Sequence, residues 1–189
     1  MKITLTKTED EFDNLAAWRI IGEILYRPNA VIGLSTGRTT HNMHKIVSEI
    51  YTQHPFDVSQ VTFFGLDEVT NVPRTYAGSC YTKLRTEIID ALGIPENRFL
   101  MLPTVSDDFP VACSDFQREL TQRGGIDLLI LGLGENGHLG FNQPGSPFEG
   151  ETTLSSMDAE LEARIRRETQ TPPEIAIGGV TLGLKNIMQ

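Results

Sequence analysis

The chain has 189 residues, 39% of them apolar and 22% charged, with a formal net charge of −9. That length suits one domain with a sizeable core, not two separate ones. The charge argues against a nucleic-acid partner, whose binding draws on clustered Lys and Arg, and no apolar run reaches the ~20 residues of a membrane helix.

In chain order, Thr8-Glu9-Asp10-Glu11 has the pattern of a capping box. The apolar positions Phe12, Leu15, Ala16, Ile20, Ile21 and Ile24 then recur at helical spacing, which predicts a first helix. Residues 30–34 form a short apolar run without polar alternation, as expected of a strand covered on both faces, followed by a polar turn and a helix to about Tyr51. The pattern repeats: a strand over 61–65 leads into a polar loop and a helix from about Ala77 to Leu92, closed by Gly93. A strand near 99–102, a helix from about Phe109 to Arg123 stopped by Gly124-Gly125, and an apolar run over 128–131 complete the alternation. The expected fold is therefore a three-layer α/β arrangement, a mostly parallel, doubly wound (Rossmann-like) sheet with helices on both faces. Residues 181–189 read as a helix just begun.

In such sheets ligands lie outside the carboxyl ends of the strands, so the loops after Leu34, Gly65 and Leu131 are the places to look. Ser35, Thr36, Gly37, Arg38 and Thr39 sit between a strand and a helix N-terminus, where free N–H groups and the helix dipole can hold a phosphate. The plainer alternative is that Thr39 or Thr40 simply caps the helix. The Gly-Lys-Ser/Thr ending of a nucleotide-triphosphate loop is absent. Asp67 and Glu68 follow the second strand. Adjacent acids there are usually solvated, but a desolvated carboxylate in that position can act as a base on a carbon acid beside a carbonyl. Residues 132–145 contain a literal G-x-G-x-x-G, yet Gly140, Pro144 and Gly145 keep the segment a loop, so a dinucleotide site is rejected. What remains is a glycine-rich loop presenting His138, whose neutral imidazole can pass protons to and from a sugar oxygen.

His41 and His44, at i and i+3 with no third ligand, read as helix surface, and no metal site is expected. Ser79 beside Cys80 has no assignable base. Cys80 and Cys113, the only cysteines, lack disulfide-framework or metal spacing and read as free thiols. With no signal-peptide pattern at the N-terminus, this predicts a cytoplasmic protein.

Taken in order, Leu34-Ser35-Thr36-Gly37-Arg38-Thr39, Phe63-Phe64-Gly65-Leu66-Asp67-Glu68 and residues 131–145 resemble the glucosamine-6-phosphate deaminase/isomerase family, and residues 179–184 are similar to its galactosamine-6-phosphate branch. The resemblance covers essentially the whole chain, and its most specific part is Gly-x-Asn-Gly-His-x-Gly-Phe-Asn-x-Pro-Gly. It implies one sugar-phosphate isomerase/deaminase-like domain over 1–189 that stops short of the family's C-terminal strand and helix. It further implies conversion of an amino-sugar 6-phosphate to a ketose 6-phosphate plus ammonia, without metal or cofactor. By the same resemblance Asp67 matches the residue that moves the proton between C2 and C1, and His138 the residue that assists ring opening. Asn136 and Gln143 fall where relatives often carry Asp and Glu, and the amide at Gln143 departs from the pattern because it cannot balance an imidazolium as a carboxylate does. Glu68 and Gly137 are expected at the substrate. Arg166 is the expected phosphate arginine, with Arg164 and Arg167 as close competitors. The expected partner is a phosphorylated amino sugar, with neither nucleic acid nor membrane, and a homo-oligomer is left open. The competing functions are a sugar-phosphate-binding module without turnover and a phosphosugar lactonase.

Overall fold

The computed structural model describes residues 2–157 and 159–189. Its elements are α1 (Glu9–Tyr26), β1 (Val31–Leu34), α2 (Arg38–Gln53), β2 (Thr62–Gly65), β3 (Asp67–Thr70) and α3 (Cys80–Leu84), the last continued by a π-helical stretch, Arg85–Ile89. They are followed by a 3-10 turn, Glu96–Arg98, and by β4 (Phe99–Leu100), α4 (Phe109–Gln122), β5 (Leu128–Leu129), β6 (Thr153–Ser155), α5 (Ala159–Thr169), β7 (Gly178–Thr181) and α6 (Leu184–Ile187).

The apolar runs pair as a parallel sheet in the order β4-β2-β1-β5. Its two faces follow from the two-residue period of a strand. Ile32, Leu34 and Phe63 point into a core shared with Ile20, Ile21 and Ile24 of α1 and with Met43 and Val47 of α2. Val31 and Phe64 point to the other face, against Cys113, Phe116 and Leu120 of α4. The sheet is thus covered on both sides, as the uninterrupted apolar strands require. Phe63 and Phe64 are fully buried, and truncating either to alanine would cost about 3–5 kcal/mol. The chain runs from β1 outward through β2 to β4 and then returns to β5 on the other side of β1. The crevice at this reversal lies between the loops after β1 and β5.

Several expectations need correction. The predicted loop after Gly65 turns at Leu66 and continues as β3, which joins β7 and β6 in a second, antiparallel sheet. The predicted helix over 77–92 is regular α-helix only in α3, and the strands expected near 99–102 and over 128–131 shorten to two residues each. Thr8 does cap α1, its side chain accepting from the Glu11 N–H, but Glu11 reaches Lys7 N–H instead of closing the box on Thr8. Phe12 and Leu15 lie on the outer side of α1, and the inner face is built on Ala17, Ile20, Ile21 and Ile24. His44 is not on the helix surface. It is fully buried, and its Nδ1 meets Glu87 Oε2 at 2.7 Å, while His41 Nδ1 meets Glu87 Oε1 at 2.8 Å. One carboxylate thereby ties α2 to the π-helical stretch.

Candidate active site

The loops at the carboxyl ends of β1 and β5, together with β3, α3 and α5, enclose a cavity of about 230 Å³. Ser35, Thr36, Gly37, Arg38 and Thr39 all line it. Gly37 occupies the N-cap of α2 without a side-chain cap, and Thr40 donates its hydroxyl to the Ser35 carbonyl. The capping alternative for Thr39 or Thr40 therefore fails, and the first N–H groups of α2 are left for another acceptor. The Ser35 hydroxyl is 94% buried with its residue and has no hydrogen-bond partner, although it stands on the cavity wall. A buried hydroxyl in that state costs free energy until an acceptor arrives, and an anion at the helix N-terminus supplies one. Arg38 adds positive charge at the mouth, where it meets Glu135 of the β5 loop at 3.8 Å with both side chains exposed.

β3 separates the two acids. Asp67 lines the cavity, and Glu68, its neighbour on the opposite side of the strand, does not. Glu68 is fully buried; its Oε1 accepts from Val69 N–H and Cys80 N–H, and its Oε2 accepts from Tyr81 N–H. It anchors the start of α3 and lies off the cavity wall on which the sequence reading expected it. Burial drives its carboxyl up to about 7 against those three donors. Asp67 is half-buried, and desolvation lifts its carboxyl to about 6, opposed by a hydrogen bond from Cys80 and by the charge of Lys83. Neither acid has the solvated character usual for such pairs.

Across the cavity, His138 packs its ring against the backbone of Gly134, so closely that a Cβ there would lie 2.2 Å from the imidazole. Its Nδ1 is 2.7 Å from Asn136 Oδ1, and Asn136 Nδ2 donates to Gln143 Oε1 at 3.0 Å. This chain of amides fixes a tautomer. With Asn136 Nδ2 turned to Gln143, the Asn136 oxygen faces His138, so Nδ1 carries a hydrogen, and in the neutral ring the lone pair is on Nε2. Asn136 and Gln143 stand behind His138, off the cavity wall, and the buried Gln143 Nε2 has no partner. Gly137 forms the turn at φ +89° and is also off the wall.

The guanidinium of Arg166, the expected phosphate arginine, is held by Glu162 and by the carbonyls of Pro172 and Ile175, whereas its competitor Arg164, two residues earlier on α5, lines the cavity. Sequence reasoning missed Lys83 and Cys80, both on the wall. Their i, i+3 spacing at the start of a helix that follows a strand end was the available signal. Among the described residues, no group of three or more His, Cys, Asp or Glu could hold a metal ion, and no helix is long and apolar enough to cross a membrane.

The chain is similar to known proteins over most of its length. The family profile of glucosamine-6-phosphate isomerases/6-phosphogluconolactonase matches residues 12–179. A glucosamine-6-phosphate deaminase from Clostridium botulinum is 31% identical over 188 residues, covering 100% of this chain and 77% of the relative. One from Clostridium acetobutylicum is 31% identical over 189 residues, covering 100% and 78%. Among solved structures, a monomeric glucosamine-6-phosphate deaminase of the NagB superfamily superposes with a TM-score of 0.93 at 23% identity, over 100% of this chain and 78% of that one. A 6-phosphogluconolactonase from Thermotoga maritima gives a TM-score of 0.70 at 19% identity, over 98% and 77%.

Proposed function

The chain belongs to the glucosamine-6-phosphate isomerase/6-phosphogluconolactonase family, and from that premise and its cavity we infer that it is an amino-sugar-6-phosphate deaminase. The observation that carries this reading is Asp67, a partly desolvated carboxylate with a raised pKa of about 6, set in the same cavity as a histidine of fixed tautomer. Lactone hydrolysis does not call for a base at carbon, whereas moving a proton from C2 to C1 does.

In the proposed cycle the phosphate sits on the α2 N-terminus with the Ser35 hydroxyl and Arg38, and Arg164 adds charge from α5. His138 Nε2 takes the proton of the C1 hydroxyl and returns it to the ring oxygen as the C1–O bond breaks, which opens the sugar to its aldehyde. Asp67 removes the C2 proton while the substrate's C2 ammonium passes a proton to O1, giving an enolamine, and Asp67 then delivers its proton to C1, leaving a protonated imine at C2. Water adds to that imine and ammonia departs, so the net reaction consumes one water and yields a ketose 6-phosphate. This is hydrolytic deamination coupled to isomerisation, with glucosamine 6-phosphate as the proposed substrate and the galacto epimer as the comparison. Because Asp67 must be ionised, kcat/KM rises with pH through about 6. The free, buried thiols of Cys80 and Cys113 fit a reducing compartment such as the cytoplasm.

The test is proton NMR of both amino-sugar 6-phosphates with the protein in D2O. Loss of the C2 proton followed by ketose signals from the gluco epimer is the expected result. An unchanged sugar in the presence of folded protein would overturn the enzymatic reading and leave sugar-phosphate binding without turnover.

A further inference from the structure

Cys80 lies between the phosphate loop and the proposed base. Its backbone is fixed twice: Glu68 Oε1 accepts its N–H at 2.8 Å, and Ser79 caps the helix that it begins. Its side chain is buried. The Thr36 hydroxyl donates to Cys80 Sγ at 3.1 Å, and Cys80 Sγ donates to Asp67 Oδ1 at 3.6 Å. The directions are set by the donor inventory. An ionised carboxylate only accepts, so the thiol hydrogen points to Asp67. The sulfur lone pair is then turned toward Thr36, whose hydrogen it receives.

We propose that Cys80 is a positioning residue for Asp67, its thiol linking the Thr36 hydroxyl of the phosphate loop to the carboxylate that moves the substrate proton. The inference rests on the deaminase reading and deepens it. An unrestrained aspartate samples rotamers about χ1 and χ2, and one donor on Oδ1 leaves Oδ2 to face the substrate. Oδ2 is the oxygen nearer Gly140, where an added Cβ would lie 3.3 Å from it. The thiol stays protonated in this role, because burial first and then the charges of Glu68 and Asp67 push it well above the usual cysteine range. It is therefore a donor and not a nucleophile. The same hydrogen bond stabilises the charged form of Asp67 and opposes the effect of burial.

The other groups around Asp67 are few. Glu68 is its neighbour on β3, Lys83 shares α3 with Cys80, and β7 contributes only the neutral Thr181 hydroxyl. From the loops after β1 and β5, Arg38, Glu135 and His138 share the cavity, and α5 adds Arg164. None of these changes when the thiol is removed, so its effect can be isolated.

The test is the pH profile of kcat/KM, from pH 5 to 9, for the full chain and for Cys80→Ala, Cys80→Ser and Asp67→Asn, with folding checked by circular dichroism. Losing the donor raises the pKa of Asp67, so the acid limb of Cys80→Ala moves up by about half a pH unit, less than an ordinary charged hydrogen bond would give because S–H is a weak donor. Cys80→Ser retains a donor and brings the limb back toward that of the unmodified chain. A uniform loss of kcat/KM at every pH with an unmoved limb would mean that Cys80 only fills space, and the proposal would be wrong. Serine failing to restore the limb would overturn it equally. Asp67→Asn separates the two levels: C2-proton exchange surviving in that variant defeats the assignment of the base itself, whereas its loss alongside an unmoved limb in Cys80→Ala defeats only the role of the thiol.

Discussion

A methyl group at position 134 would stand 2.2 Å from the His138 ring, so Gly134 sets where the imidazole can rest. The effect of Gly134→Ala therefore falls on the ring and not on the fold. Displacing a reacting group by about 1 Å costs roughly 100-fold in rate, and that fall in kcat is expected with thermal stability unchanged to within ~2 °C. Steady-state kinetics beside a thermal melt check it; a drop in stability with normal kinetics would contradict it. A second change acts on charge. Asn136 Oδ1 lies 2.7 Å from His138 Nδ1 but carries no net charge. In Asn136→Asp a carboxylate takes that place, favours the imidazolium, and raises the histidine pKa by about 1 unit or more. Because His138 must be neutral to take the C1 hydroxyl proton, the acid limb of the rate profile should move upward with it, and NMR titration of the imidazole gives the shift directly. A histidine that titrates where it did before would show that the Asn136–Gln143 chain does not govern it.

At the level of elements, Glu87 is the joint between α2, which begins at the loop after β1, and the segment that carries Cys80 and Lys83. Burial opposes its ionisation, yet the hydrogen bonds from His44 and His41 outweigh that and hold its carboxyl below the usual range. Glu87→Ala leaves the fully buried His44 without its Nδ1 partner, at an expected cost of about 2–3 kcal/mol. Glu87→Gln keeps an acceptor for one histidine and should cost less. Urea denaturation of the two variants measures the difference, and equal losses would mean that the side-chain contact matters little. This joint was not readable beforehand, because an i, i+3 histidine pair looks the same whether the helix face meets water or a carboxylate 43 residues further on. The elements around the joint were easier. β1 and β2 are buried on both faces, so they appear as unbroken apolar runs. β3 was read as a loop because it carries two acids, and β6 and β7 escaped notice because Thr153–Ser155 and Gly178–Thr181 are short and polar or glycine-containing. Their pairing is decided by partners more than a hundred residues apart in the case of β3 and β7.

Across the whole molecule, alternation of strand and helix was enough to foresee the parallel sheet and the end at which its cavity lies, and the glycine-rich loop was enough to single out His138, which lines that cavity. Which neighbour of a pair reaches the cavity was not foreseeable in the same way. Asp67 does and Glu68 does not because β3 is a strand, and Arg164 does while Arg166 is spent on carbonyls because α5 is turned that way. The same arrangement governs stability as a function of pH. Asp67 rises from 3.8 to about 6 on folding and Glu68 from 4.5 to about 7, so the folded chain holds protons that the unfolded chain has released. Their contribution is complete below about pH 4 and is lost as pH rises through 6 and 7, by of order 3 kcal/mol for the fully buried Glu68. Glu87, depressed in the fold, contributes in the opposite sense: its share is present above the ordinary glutamate range and is lost as pH falls below it. The two trends bracket a maximum, so the melting temperature should peak near pH 5 and decline toward pH 8. Growing negative charge on a chain already at −9 at pH 7 pushes the alkaline side the same way, which is why the variant comparison matters. Asp67→Asn removes one ionisation from the cavity but little of the overall charge, and it should flatten the decline between pH 5 and 7 while leaving the acid side intact. Calorimetric melts of the two proteins across pH 4 to 8 decide the point. Parallel curves for the variant and the unmodified chain would mean that Asp67 is better solvated than its place in the cavity implies, and that a carboxylate in that position gains little basicity from the fold.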